Sequence, residues 1–315
     1  ARQESVPDHL KRVSELWARF SEVALQNPNA WIKDEFTAED IRTPTDANRR
    51  ISFPYTKMMN ANMVVDMGAA LILCSVGKAR ELGIPERKWI YPVAGVQGYD
   101  HFSASVRDNF YSSPGLGLVG KKVMELAKIS PEEIDYVDLY SCFPSAVQIA
   151  ARELGFSEER ALTVTGGLTF GGGPLNNYVM HAVARTAELL RETPETTAFV
   201  SANGGNLYKH VHCVYSSQAP EEPFQFENIQ REIDALPSRV CLPEYNGKVD
   251  VESYSVMYTG DKPAIAHCSG ITNEGARVWS NCYDEDVLHD MTEMEFCGRT
   301  AVIKHDGTIG NFSYS

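Results

Sequence analysis

Apolar residues at Leu10, Val13, Trp17 and Phe20 recur at the three- and four-residue spacing of a helix, which predicts an amphipathic helix from Asp8 to about Asn27. Asp8 stands where an N-cap belongs, and Glu15 and Arg19 lie one turn apart. Residues 28–57, rich in Pro, Asn, Thr and charge, show no sustained period and read as an ordered loop. The run NANMVVDMGAALILCSVGKAREL (60–82) then reads as one long, largely apolar, buried helix, stopped near Gly83 and Pro85.

Between residues 88 and 217 strand and helix patterns alternate. WIYPVAGV, YVDLYSC and LTVTG read as strands, and GLGLVGKKVMELAKI, SAVQIAARELG and NYVMHAVARTAELLRE as helices. TAFVSA and VHCVYSS close the region as two strands. Ser130, Pro131 and Glu133 form a capping box that predicts a short extra turn before YVDLYSC. Alternation of this kind implies a mostly parallel sheet covered on both faces, with functional loops at strand C-terminal ends. After the Pro- and Glu-rich APEEPFQFE the chain changes to strands and turns, with Asp306-Gly307 as a hairpin signal. The expected division is 1–87 for the first helix, loop and run into the long helix, 88–217 for the α/β domain, 218–235 as linker, and 236–315 as a small antiparallel β domain.

A length of 315 residues with 43% hydrophobic content suffices for a sizeable core. The formal charge of -13, with Arg49-Arg50 as a short basic pair, argues against a nucleic-acid-binding surface. Seven scattered cysteines without a Cys-x-x-Cys pair suggest reduced thiols in a cytoplasm and no structural zinc. No apolar run approaches the roughly 20 residues that span a bilayer. The first residue is Ala1, so a processed end or a fragment has to be considered.

Three loops carry candidate chemistry. In TVTGGLTFGGGPLNNY (163–178) the glycines are followed by Pro174-Leu175, not by the Gly-Lys-Ser/Thr that a phosphate loop needs, and the spacing is wrong for a dinucleotide fingerprint. A tight strand-to-helix turn is the plain alternative. In DLYSCFPSAV, Tyr140 and Cys142 lie two apart and share a face if still on the strand; each can serve as a general acid or base, or simply pack. In SANGGNLYKHVH, the amides of Gly204 and Gly205 could serve an oxyanion, and Lys209, His210 and His212 follow; no third ligand accompanies the histidines for a metal.

Taken together and in this order, the loops resemble those of the thiolase superfamily. VDLYSCFPSAV is similar to the loop reading Asn-Glu-Ala-Phe in ordinary thiolases and His-Asp-Cys-Phe in the sterol-carrier-protein type. VTGGLTFGGGPLNNY resembles the Gly-Gly-Leu…Gly-His-Pro loop, SANGGN the Cys-x-Gly-Gly-Gly loop, and NANMVVDMGAALILCS the Asn-x-Ser…Asp-Gly-Ala-Ala helix that opens the second thiolase half. The likeness covers residues 1 to about 217, and the β domain resembles the added C-terminal domain of the thiolase-like protein type 1 group, whose members are often labelled acetyl-CoA acetyltransferases. It implies a layered α/β thiolase fold, comprising a C-terminal-type half and loop domain, followed by a small antiparallel OB-like barrel.

The resemblance implies an acyltransferase of lipid metabolism making or breaking a carbon–carbon bond beside a coenzyme A thioester, with the thioester as substrate and no covalently bound cofactor. It places the nucleophilic cysteine in a first half that this chain lacks, so a partner polypeptide carrying that half, or a homo-oligomer, is expected. Gly173 falls where the family has the His of Gly-His-Pro, Ala202 where the third loop has its Cys, and Tyr140 where the first loop has Asn or His. Cys142 keeps the position of the cysteine in His-Asp-Cys-Phe, an acid/base candidate. The altered loops imply atypical or weak chemistry, or a non-catalytic CoA-ester-binding subunit. Steroid side-chain aldolases of the superfamily carry tyrosines that Tyr140 and, more loosely, Tyr178 resemble, which implies a lyase with Lys209 or His210 lowering the phenol pKa. Gly172 and Gly173 join Gly204 and Gly205 as oxyanion-loop candidates, and Arg49, Arg50 and Lys57 are the candidate partners of the CoA phosphates.

Overall fold

The computed structural model describes residues 3–314; Ala1 and Ser315, the outer limits of the expected domains, lie outside the described residues. Helix α1 (Val6–Gln26) starts earlier than the apolar period indicates. Ser5 is its cap, accepting the Asp8 N–H at 3.2 Å, so Asp8 sits inside the first turn. Arg19 turns away from Glu15 and donates to the Glu158 carbonyl at 2.7 Å. Val13, Leu16, Trp17, Phe20 and Ala24 are buried along one face, each large side chain contributing roughly 2 kcal/mol of transfer free energy.

The loop region that follows carries α2 (Ala38–Arg42), β1 (Arg50–Ser52) and β2 (Tyr55–Thr56). The long helix expected over 60–82 does not form. Only α3 (Val76–Glu81) is helical, capped by Ser75, whose hydroxyl accepts from Lys78 N–H. Upstream, Ala61 donates its amide to Cys142 O at 3.2 Å and Asn62 to Leu168 O at 3.0 Å, which commits the backbone to an extended path. From Val65 to Ile72 exposure alternates with a period of two, and Val64, Ile72 and Leu73 are 89%, 95% and 79% exposed. The segment is an extended apolar stretch that pairs with no sheet among the described residues.

The α/β domain contains β3 (Tyr91–Tyr99), α4 (Pro114–Ala127), β4 (Tyr136–Asp138), α5 (Pro144–Leu154), α6 (Tyr178–Glu192), β5 (Thr197–Gly204), β6 (Lys209–Ser216), β7 (Gln225–Asn228) and α7 (Gln230–Asp234). Its five-stranded sheet runs β4-β5-β6-β3-β7. The pairs β4–β5 and β3–β7 are parallel, but β5–β6 and β3–β6 are antiparallel, so the sheet is mixed. LTVTG forms no strand, because its backbone amides turn toward side-chain oxygens. The expected linker 218–235 holds β7 and α7, and the Phe224 and Phe226 rings fill the space above Gly95. Phe199, Val214, Ala94 and Val96 join α1, α4 and α5 in the main core, whereas Val200 joins Tyr178 and Ala182 of α6 in a small cluster. One face of the sheet is thus deeply covered, and among the described residues the other is covered by α6 and, over Gly95, by Phe224 and Phe226.

The C-terminal unit contains β8 (Gly247–Thr259), β9 (Lys262–Ile271), β10 (Arg277–Cys282), α8 (Glu285–Glu293), β11 (Thr300–His305) and β12 (Gly310–Ser313). Pairings run in a circuit, β8-β9-β10-β12-β11 and back to β8, around a core that includes Val256, Phe296 and Ile303. The unit is not purely antiparallel, since β10–β12 is a parallel pair. The hairpin signal at Asp306-Gly307 lies in the β11–β12 turn, where the Asp306 carboxylate accepts from Thr308 and Ile309 amides. β1 pairs with β8 and joins the loop region to this unit.

Candidate functional site

The glycine turn exists to let α1 approach. Gly166 and Gly167 have φ of +94° and +70°, and a Cβ on them would stand 2.4 Å from Ala24 Cβ and 2.6 Å from Phe20 Cδ1. The turn is then fixed from below by Asp138, which is fully buried. Its carboxylate accepts from Val164 N–H at 2.9 Å, Thr163 Oγ1 at 2.9 Å and Tyr178 Oη at 2.8 Å. Tyr178 also lies 2.8 Å from Thr165 Oγ1. Burial, with the adjacent Asp138 charge, holds the Tyr178 phenol well above the usual tyrosine range. Tyr178 is therefore a structural tie between α6 and the turn, not an exposed base.

Strand β4 delivers the next loop. Tyr140 N–H donates to Ser201 Oγ at 2.9 Å, and Ser141 Oγ accepts from Leu168 N–H at 3.0 Å, so this loop is stitched to β5 and to the glycine turn. Tyr140 is half-buried and meets Tyr178 edge-on at 5.5 Å between ring centroids. Burial, then the neighbouring Cys142, raises its pKa, and no cation counteracts them. Lys209, expected to lower that pKa, lies over the Tyr208 ring. His210 is fully buried in the α4-facing row of β6 and is engaged by Asp100 Oδ2 at 3.0 Å and Ser113 Oγ at 3.2 Å. These contacts commit its imidazole to Asp100 and Ser113, although Asn203 stands directly opposite it on β5.

Cys142 remains partly exposed, just ahead of α5. Asn203 Nδ2 is 3.9 Å from its Sγ, and burial pushes the thiol up to about 11 against the pull of nearby amides. At neutral pH this is a protonated thiol, able to give a proton rather than to attack. Gly173 donates its N–H to Asn62 O at 2.9 Å, and Gly172 packs against Met67, so the Gly173 amide is not free for an oxyanion. Gly204 ends β5 opposite Lys209, and Gly205 turns the chain at φ +61° beside the Tyr208 ring.

Arg49, Arg50 and Lys57 do come together, on the β1–β2 hairpin, where Lys57 N–H donates to Arg49 O at 2.9 Å. Arg49 and Lys57 are exposed; Arg50 lies over the Tyr258 ring. The hairpin is docked beside Cys142 by Tyr55, whose ring stacks on Phe143 and whose hydroxyl accepts from Ser145 N–H at 3.1 Å. Tyr55, Asp138 and Asn203 were not identifiable from periodicity. Each acts through loop contacts that only the folded chain creates. Behind the glycine turn a cavity of about 300 Å3 is lined by Asn27, Met67, Gly172, His181, Arg185 and Glu188.

A sheet with loops of this kind at its edge, backed by a glycine turn and α6, defines a thiolase-like protein. The family described as thiolase-like protein type 1 additional C-terminal domain matches residues 228–308. The solved structure of a monomeric SCP2-thiolase-like protein type 1 from Mycobacterium smegmatis superposes with a TM-score of 0.91 and 31% identity over 99% of this chain and 69% of that one. The chain belongs to the SCP2-thiolase-like protein type 1 family. It also matches acetyl-CoA acetyltransferases of Methanocaldococcus jannaschii, 29% identical over 33% of this chain, and Schizosaccharomyces pombe, 26% identical over 46%. The matched stretches span 26% and 35% of those curated relatives. An Ltp2-ChsH2(DUF35) aldolase structure shares the fold, with a TM-score of 0.51 and 20% identity over 66% of this chain and 58% of that one. Among the described residues no helix is long and apolar enough to cross a membrane.

Proposed function

We propose that this chain forms the acyl-CoA side of a thiolase-type carbon–carbon bond site, with Cys142 as the proton donor and acceptor at the thioester α-carbon. The observation carrying the reading is the neutral, partly exposed Cys142 thiol beside Asn203, docked against a hairpin that presents Arg49 and Lys57. Those cations suit the phosphates of coenzyme A, which in an otherwise acidic chain would be drawn to this hairpin. The acetyl-CoA acetyltransferase relatives support the acyltransferase class. The circuit of pairings in the C-terminal unit supports its reading as an OB-like barrel.

Turnover by this reading needs a further polypeptide segment. The extended apolar stretch 63–75 and the α6 face of the sheet would receive an α/β segment like the part of the structural relative that this chain does not match. A lyase using Tyr140 is the weaker reading, because its phenol is raised by burial with no cation in support. Calorimetric titration with acetyl-CoA tests the binding step. Binding that weakens at least tenfold in an Arg49→Ala, Lys57→Ala double variant supports the reading, and equal affinity in both proteins removes the hairpin from the site.

A further inference from the structure

Arg277 of β10 is fully buried yet makes every one of its guanidinium contacts across the boundary or to a carboxylate of its own unit. Its Nε and Nη2 donate to Glu252 of β8 at 2.6 and 2.5 Å. From the same group Nη1 donates to the carbonyls of Ser105 at 2.9 Å and Arg107 at 2.5 Å, and the Phe110 ring lies 4.2 Å from its Cζ. Trp279 and Arg239 reinforce the clasp, donating to Ser105 Oγ and Asp108 O, each at 2.9 Å. Loop 104–110 of the α/β domain is thereby gripped by the C-terminal unit.

The gripped loop in turn holds a strained one. Arg107 Nη2 donates to Asn206 O at 2.6 Å, and upstream Asp100 N–H donates to Tyr208 O at 2.8 Å while Phe102 packs edge-on against Tyr208. Leu207 in this turn has φ of +54°, a left-handed conformation that a non-glycine residue keeps only when its surroundings impose it. Asn203, whose amide faces Cys142, lies at the root of the same turn.

We propose that the C-terminal β unit positions the Gly204–Tyr208 turn, and through it Asn203, by way of Arg277, with Arg107 as the last link. Arg277 is a positioning residue, acting through loop 104–110 and Arg107. Its bearing on thioester chemistry rests on the function proposed above. Hydrogen exchange reads the clasp with no ligand present, so the two ideas fail separately.

The test compares wild type, Arg277→Lys and Arg107→Met by peptide-resolved hydrogen exchange, with the pH profile of Cys142 alkylation as the second readout. Arg277→Lys keeps a charge for Glu252 but cannot reach several carbonyls at once. Exchange in 204–208 should accelerate about tenfold or more in both variants, with β8 and β9 unchanged in Arg107→Met. The alkylation profile of Cys142 should move to higher pH as Asn203 loosens. Where Arg277→Lys does not fold, Arg107→Met decides alone. Wild-type exchange in 204–208 in Arg107→Met, or a loosened turn with an unmoved Cys142 profile, overturns the proposal.

Discussion

Raising the pH from 8 to 10 should accelerate alkylation of Cys142 by roughly ninetyfold, whereas an ordinary thiol near 8.5 gains only about fourfold. The difference follows from burial. A thiol pushed up to about 11 is about one part in a thousand thiolate at pH 8 and about one part in eleven at pH 10. Pulses of iodoacetamide, followed by mass spectrometry of the peptide containing Cys142, separate it from the other six cysteines, with exposed Cys74 as an internal reference. Replacing Asn203 by Ala removes a donor to the thiolate and should move the profile further up. A midpoint at or below about 9 would refute the claim that this thiol is held protonated, and with it the proton-donor role.

Tyr178→Phe leaves Asp138 and Thr165 each short of a buried hydrogen bond, and should lower stability to urea by about 1–3 kcal/mol while leaving the Cys142 profile alone. A normal stability with a changed profile would instead make Tyr178 a functional group. Burial, with the charge of His210, depresses the His212 pKa to about 3. Between pH 6.5 and 3 the unfolded chain binds a proton there that the native one does not, so stability should fall as the pH falls, by on the order of 5 kcal/mol in all. His212→Leu should flatten that slope by up to about 1.4 kcal/mol per pH unit, and an unchanged slope would contradict the assignment. Gly166→Ala places a Cβ against Ala24 at a positive φ and should cost about 3 kcal/mol or more; Ala24→Gly in the same chain should restore part of it.

How much of this could be seen in the sequence differs from element to element. Helices α4, α5 and α6 and strands β5 and β6 follow from local periodicity, because each buries one face against a neighbouring element. The apolar run 60–82 points to a helix because its composition fits a buried helix as well as an extended stretch. The decisive facts are the backbone bonds of Ala61 and Asn62 to two distant loops, which no local pattern encodes. The glycine turn was legible as the family's loop, but not its purpose of admitting α1. Among the candidate residues Cys142 and Tyr140 lie on one loop, against which Tyr55 docks the hairpin that carries Arg49 and Lys57. His210 is engaged instead by Asp100 and Ser113, and Tyr178 by a buried aspartate that carries no motif.

In the proposed site, Cys142 exchanges a proton with the α-carbon of a CoA thioester. Deuterium incorporation into the methyl group of acetyl-CoA in D2O, followed by mass spectrometry, measures this step without requiring a completed condensation. The protein assembled with a polypeptide supplying the rest of the family's length should incorporate deuterium, and Cys142→Ala in the same assembly should lose at least about a hundredfold in rate. Exchange at an equal rate in Cys142→Ala would contradict the account.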